Sequence, residues 1–457
     1  MAFELLHGGG RMATRADGVG ERHGWVRQLL AGVVLLCVVA VPLCGVVLLF
    51  ASGSGWIPWF SMTTAWEAKA ERPAAEYGNG AWLAGDTLVR SRFDAVTGYD
   101  VRHGTQRWQY VPPGRSDVCA VSTAADGGVA LVVHGELGSG SRSAGPGCAT
   151  VAAIDLADGR ELWHMARTAS STDLQRSAGL VATGGGLGVV LGGASGSADG
   201  AADRGGVRSF DLRTGTPRWS AALPSGCSAT DVASAPTQVL AVLVCAGSEQ
   251  HLAAFDPADG KPRWDGPLEA RRGVSGAAQV HFLAADPPVL QVAETGRSGL
   301  NGFLAFGPTG RPRARIDLVG DYGRIPEDRP AQVAVADGRL FAVAEYKGRQ
   351  GNRQRVVAFD LAGGGELWRA DLTGTWEDIA AVHAGGKWVT AITVSTKYED
   401  ELYVLDARSG DEDDNRSFRD EVGDYEGSLD GLLTYRGLVI AVRWSKDGRP
   451  VSVYERW

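Results

Sequence analysis

Five times along 457 residues, an apolar residue followed by Asp leads to a Gly four positions after the Asp and a Trp eight positions after it. Tyr99-Asp100 runs through Gly104 to Trp108, Ile154-Asp155 through Gly159 to Trp163, and Phe210-Asp211 through Gly215 to Trp219. Phe255-Asp256 runs through Gly260 to Trp264, and Phe359-Asp360 through Gly364 to Trp368. Two worn copies complete the series: Phe306-Gly307 through Gly310 to Arg315, and Leu405-Asp406 through Gly410 to Asp414. An Asp side chain accepts from backbone amides and starts a turn. A Gly four residues on takes the positive φ that closes it. The pattern therefore predicts a strand, a tight turn and a second strand carrying the Trp.

Copies about fifty residues apart leave room for a second hairpin between them. Its signal is an apolar run, a Gly turn and another apolar run. Asp126-Gly127-Gly128 precedes Val129 to Val133, and Gly184 to Gly186 precedes Leu187 to Leu191. Asp337-Gly338 precedes Leu340 to Val343, Gly385-Gly386 precedes Trp388 to Ile392, and Gly437 precedes Leu438 to Val442. Each repeat is then four antiparallel strands, the unit of a propeller blade. The Trp position is filled by Trp66, Trp108, Trp163, Trp219, Trp264, Arg315, Trp368 and Asp414. That predicts an all-β, eight-bladed propeller of four-stranded blades, with seven blades as the alternative. Trp66 has no strand before it, and the strands at Leu438–Trp444 and Val451–Glu455 have none after them. The expectation is that the segment at Trp66 supplies the missing last strand and hides two open edges.

The repeat resembles that of the PQQ-like (pyrroloquinoline-quinone-type) β-propeller family, over residues 62 to 457. By that resemblance Trp66, Trp108, Trp163, Trp219, Trp264 and Trp368 are expected to dock between blades. The blade pattern also sorts four of the six cysteines. Cys227 and Cys245 sit at neighbouring ends of one hairpin, and Cys119 and Cys148 flank another blade. Of three possible connectivities, the within-blade disulfides 119–148 and 227–245 are expected.

Leu29 to Phe50 carries no charge, and at about 1.5 Å per residue it crosses a ~30 Å hydrocarbon core. Arg11, Arg15, Arg22 and Arg27 precede it, and no basic residue follows until Lys69. The positive-inside rule places the N-terminus in the cytoplasm. The expected organisation is a cytoplasmic tail at 1–27, one transmembrane helix at 28–51, a linker at 52–61 and an extracytoplasmic propeller at 62–457. A cleaved signal peptide normally has a shorter apolar core. Cys37 and Cys44 fall inside the span, and neither has the small preceding residue that a lipidation site requires.

Net charge is −8 with no dominant basic patch, so nucleic acid is not an expected partner. The resemblance admits quinone-dependent dehydrogenases, but these typically carry adjacent cysteines near the cofactor, and this chain has none. Gly184 to Gly188 is expected to be a hairpin turn and not a phosphate loop. His134, His164 and His281 are expected to be ordinary strand or turn residues. Asp411 to Asn415 is the best metal candidate, but it lacks the Gly and distal Glu of a calcium loop and reads as a solvated acidic loop. The loops 135–147, 193–206 and 345–354 read as flexible connections. No catalytic, cofactor-binding or metal-binding residue is assigned. The expected function is a membrane-tethered, non-enzymatic scaffold with a protein partner in the cell envelope. The alternative is a quinone-dependent dehydrogenase or small-molecule sensor using the central pore.

Overall fold

The structure, a computed structural model, describes residues 61–456 except 70–76, 137–146, 170–178, 193–205, 246–248, 297–298, 350, 375, 423–428 and 445–448. The segment read as a membrane helix, with Cys37 and Cys44, lies outside the described residues. Within them, no helix is long and apolar enough to cross a membrane.

The chain folds as four-stranded antiparallel sheets, each made of two hairpins in sequence. The first is Gly80–Ala84, Thr87–Arg92, Ala95–Asp100 and Gln106–Tyr110. Equivalent blades follow at 117–166, 181–220, 228–267, 279–317, 333–371 and 377–418. The last blade is built from both ends of the described chain. Gly431–Tyr435, Leu438–Val442 and Val451–Arg456 supply three strands, and Ser61–Glu67 pairs antiparallel with Val451–Arg456 as the fourth. Ser61 and Met62 also pair in parallel with Ser417 and Phe418 of the preceding blade, so no edge remains open there.

The second and third strands carry the core. Val129, Leu131 and Val133, with Ala130 and Val132 between them, are fully buried on both faces, as are Val239 to Leu243. A strand buried on both sides reads as a continuous apolar run and not as an alternation. The first strands of successive blades touch: 181–184 with 228–235, 228–235 with 279–285, 333–336 with 377–385, and 377–385 with 431–435. They form the inner wall.

Several expectations change. Arg339–Gly348 and Gly351–Asp360 are a long paired hairpin, so 345–354 is a strand extension and not a flexible loop. The segments 137–146 and 193–205 lie outside the described residues. Glu412–Phe418 is an outer strand, so the acidic stretch is not a loop. Asp414 pairs with Leu402's neighbour Val404 across the sheet and forms ion pairs with Arg416 and Arg456. Gly185 and Gly186 form a hairpin turn.

Candidate functional site

The turn motif explains its own residue types. In the third blade the Gly215 amide donates to Asp211 O at 2.9 Å, and the Thr214 amide and hydroxyl donate to Asp211 Oδ1 at 3.0 and 2.9 Å. Asp100, Asp155, Asp256, Asp360 and Asp406 accept from turn amides in the same way. Arginine seven residues after the Asp binds the other carboxylate oxygen in three blades: Arg107 to Asp100, Arg218 to Asp211 and Arg263 to Asp256. The Arg-Trp dipeptide at these positions was a visible signal for this pairing.

Each docking Trp reaches the next blade. Trp66 Nε1 donates to Val101 O at 2.9 Å, Trp163 to Leu212 O at 2.8 Å and Trp219 to Pro257 O at 2.9 Å. Trp264 donates to Pro308 O at 3.0 Å and Trp368 to Ala407 O at 3.2 Å. The acceptor is always the residue after the turn-opening position. Trp108 stacks on Gly159 without a hydrogen bond for its indole N–H among the described residues.

The two worn copies also have physical reasons. Asp414 faces the blade whose outer pair is formed by Ser61–Glu67 and Val451–Arg456, strands that no tight turn joins, so among the described residues no turn Gly stands there to receive a Trp. Arg315 faces Gly364, but the aromatic beside Phe359 is Tyr322, at 4.9 Å and edge-on. Tyr322 comes from a small extra hairpin at 319–324 that pairs with the sixth blade through Arg324 and Glu345. Its contact with Phe359 parallels those of Trp66 with Tyr99 and Trp163 with Phe210, while Gly364 itself meets the Arg315 backbone.

Both disulfides form within blades: Cys119–Cys148, with Cα atoms 6.0 Å apart, and Cys227–Cys245. Cys119 lies within the first strand of its blade and Cys148 within the third.

A cavity of about 630 Å³ opens on the inner wall between the fourth and fifth blades. Thr230, Asp231, Gln250, Gln279 and His281 supply its polar lining. Asp231 is 6 % exposed on the strand Ser228–Ala235, and His281 Nδ1 lies 3.8 Å from its Oδ2 on the strand Gln279–Ala285. Register slips at Thr230, and such a bulge re-aims the side chains beside it. Burial pushes the Asp231 carboxyl up; the His281 imidazole and the Val232 amide offset this only in part. Burial pushes His383, on another inner strand, down. His281 lies on a strand, as expected, with its ring toward Asp231. His134 lies on a second strand, bonded to Ser116 Oγ at 2.8 Å, and His164 on an outer strand beside Glu161. Among the described residues no group of three or more His, Cys, Asp or Glu is gathered as a metal site.

Sheets of this form, with Trp residues docked on the turn glycines of the next sheet, define a β-propeller of the PQQ-like class. The chain belongs to the family described as outer membrane protein assembly factor BamB, whose profile matches residues 61–294, 200–350 and 352–449. No curated protein matches it by sequence. Among solved structures, BamB from Moraxella catarrhalis is similar at 16% identity and a TM-score of 0.44, over 85% of this chain and 100% of that one. The quinohemoprotein alcohol dehydrogenase ADHIIG from Pseudomonas putida HK5 is similar at 13% identity and a TM-score of 0.49, over 86% of this chain and 76% of that one. A europium-containing methanol dehydrogenase is similar at 13% identity and a TM-score of 0.47, over 83% of this chain and 84% of that one.

Proposed function

We propose that this protein is an eight-bladed propeller held outside the cell membrane by one N-terminal helix at 28–51, and that it serves as a non-enzymatic scaffold for a protein partner in the cell envelope. Membership of the BamB family, described as an assembly factor, carries this reading. Two disulfides suit an oxidising compartment beyond the membrane. The charge asymmetry around Leu29 to Phe50 orients the helix with residues 1–27 in the cytoplasm.

A contact region is available on the seventh blade. Trp376 and Tyr398 are 56% and 57% exposed. They are held together by Ser395, whose hydroxyl donates to Trp376 O at 3.2 Å and accepts from the Tyr398 amide at 2.9 Å. Exposed Trp and Tyr are the side chains that most often anchor protein interfaces. The enzymatic alternative is tested by native mass spectrometry of the full chain with pyrroloquinoline quinone and calcium. The scaffold reading predicts no adduct; one quinone per chain would overturn it.

A further inference from the structure

Residues in the same place in successive blades show what the fold requires there and what it does not. The first hairpins close on the pairs Ala84–Thr87, Gly184–Leu187, Ala235–Gln238, Ala285–Pro288, Ala336–Arg339, Gly385–Trp388 and Tyr435–Leu438. Four residues before these pairs stand Gly80, Leu180, Asp231, Gln332, Ala381 and Gly431; in the fifth blade the bulge between Phe282 and Ala284 puts Val280 in that register, opposite Val292, with His281 next to it. Glycine, leucine or alanine satisfies this inner-wall position in the first, third, seventh and eighth blades. The fourth and sixth blades instead carry a carboxylate and an amide, and in the fifth the His281 imidazole stands one residue past this register, facing Asp231.

A buried carboxylate is costly unless it is paired. Among the described residues Asp231 has the 3.8 Å contact to His281 and the Val232 amide. Space has been left for it: a Cβ on Gly179 would lie 2.3 Å from the Asp231 Cγ. Beside it, Gln250 is 3 % exposed, and its Nε2 donates to Ser275 O and Ala278 O at 3.1 and 2.8 Å. Its Oε1 has no partner among the described residues. Thr230 donates its hydroxyl hydrogen to Val242 O at 3.3 Å, which leaves the oxygen as an acceptor. Gln332 of the sixth blade, away from this cavity, shows the same arrangement: Nε2 donates to Ile379 O at 2.6 Å and Oε1 has no partner among the described residues. Among the described residues the cavity wall thus offers acceptors at Asp231, Gln250 and Thr230, and no Lys or Arg lines it.

We propose that the cavity lined by Thr230, Asp231, Gln250, Gln279 and His281 binds a small organic ammonium ligand, with its N–H groups on the Asp231 carboxylate and Gln250 Oε1. One carboxylate is too few for a dedicated calcium or magnesium site. A primary ammonium presents three donors and a single charge, which matches the acceptors available. Its volume lies in the range of small-molecule sites. This site is independent of the scaffold reading.

The test titrates the purified full chain in detergent with phenethylammonium and, separately, with the neutral phenethyl alcohol, read by ligand-observed saturation-transfer NMR. The ammonium should bind saturably and at least tenfold more tightly than the alcohol. Asp231→Asn should weaken the ammonium at least tenfold, while Asp317→Asn, an exposed control of the same charge change, should leave it unaltered. Should Asp231→Asn fail to fold, Gln279→Trp fills the cavity from its exposed rim and should abolish binding. Equal binding of ammonium and alcohol, retained affinity in Asp231→Asn or Gln279→Trp, or no saturable binding of the ammonium would each overturn the proposal.

Discussion

Trp219 of the third blade rests on Gly260 of the fourth. The indole N–H donates to Pro257 O, and a Cβ on Gly260 would lie 2.5 Å from Trp219 Cε3. Gly260 also has φ +71°, where an L side chain is strained. Two separate demands thus fall on one residue. Gly260→Ala should cost about 1–3 kcal/mol for backbone strain and a similar amount for overpacking. Gly127, with φ +53° and open space around it, faces only the first demand. Gly127→Ala should cost about 1–2 kcal/mol. Denaturant titration of both variants checks the difference.

The strand Ser61–Glu67 closes the last blade and brings Trp66 onto Gly104 of the first. Its removal would expose the Val451–Arg456 edge and leave the first blade without its neighbour's Trp. Trp66→Ala should destabilise the propeller by about 3–5 kcal/mol. Hydrogen exchange should show protection lost first in 451–456 and 95–104, the two segments this strand covers.

Tyr322 fills the junction that Arg315 leaves without a Trp. Tyr322→Ala should cost about 2 kcal/mol, less than a fully buried aromatic because the ring is only partly buried. Tyr322→Phe should cost about 1 kcal/mol, since it removes only the hydroxyl's hydrogen bond to Asp317 O. Equal effects from the two variants would show that the ring is not what packs the junction.

Acid should loosen the outer turns. Arg218, then Thr214, hold the Asp211 carboxyl down to about 2. Arg263 lowers Asp256, and the Arg408 and Ser409 amides lower Asp406. A carboxyl whose folded pKa is depressed adds stability that is present above its unfolded value and lost as pH falls through the folded one. The thermal midpoint should therefore fall from about pH 5 to pH 2, and less steeply in Asp211→Asn. Asp231 runs the other way. Its raised folded value makes the ionised form a cost as pH rises, so without ligand Asp231→Asn should raise the midpoint at neutral pH. Thermal scans across pH on both variants check the two signs.

The sheets were legible because Asp, Gly and Trp recur at fixed offsets, and each offset has a local cause in turn geometry and docking. Closure by the Trp66 segment was legible for the same reason: a strand without a partner at one end matched a gap at the other. Asp231 and His281 were not legible. They lie one repeat apart on inner strands that share no motif, and only the packing of neighbouring blades brings them to one cavity. Tyr322 was hidden because its role depends on an extra hairpin outside the repeat. Composition misled at 345–354 and 412–415, where polar and charged residues lie on paired strands and not in loops.

The scaffold reading is tested most directly by photo-crosslinking in intact cells from positions Trp376 and Tyr398, with Arg160 on an outer turn of the second blade as control. The expected result is one discrete envelope protein captured from both 376 and 398 and not from 160. The same products from all three positions, or none from 376 and 398, would contradict it.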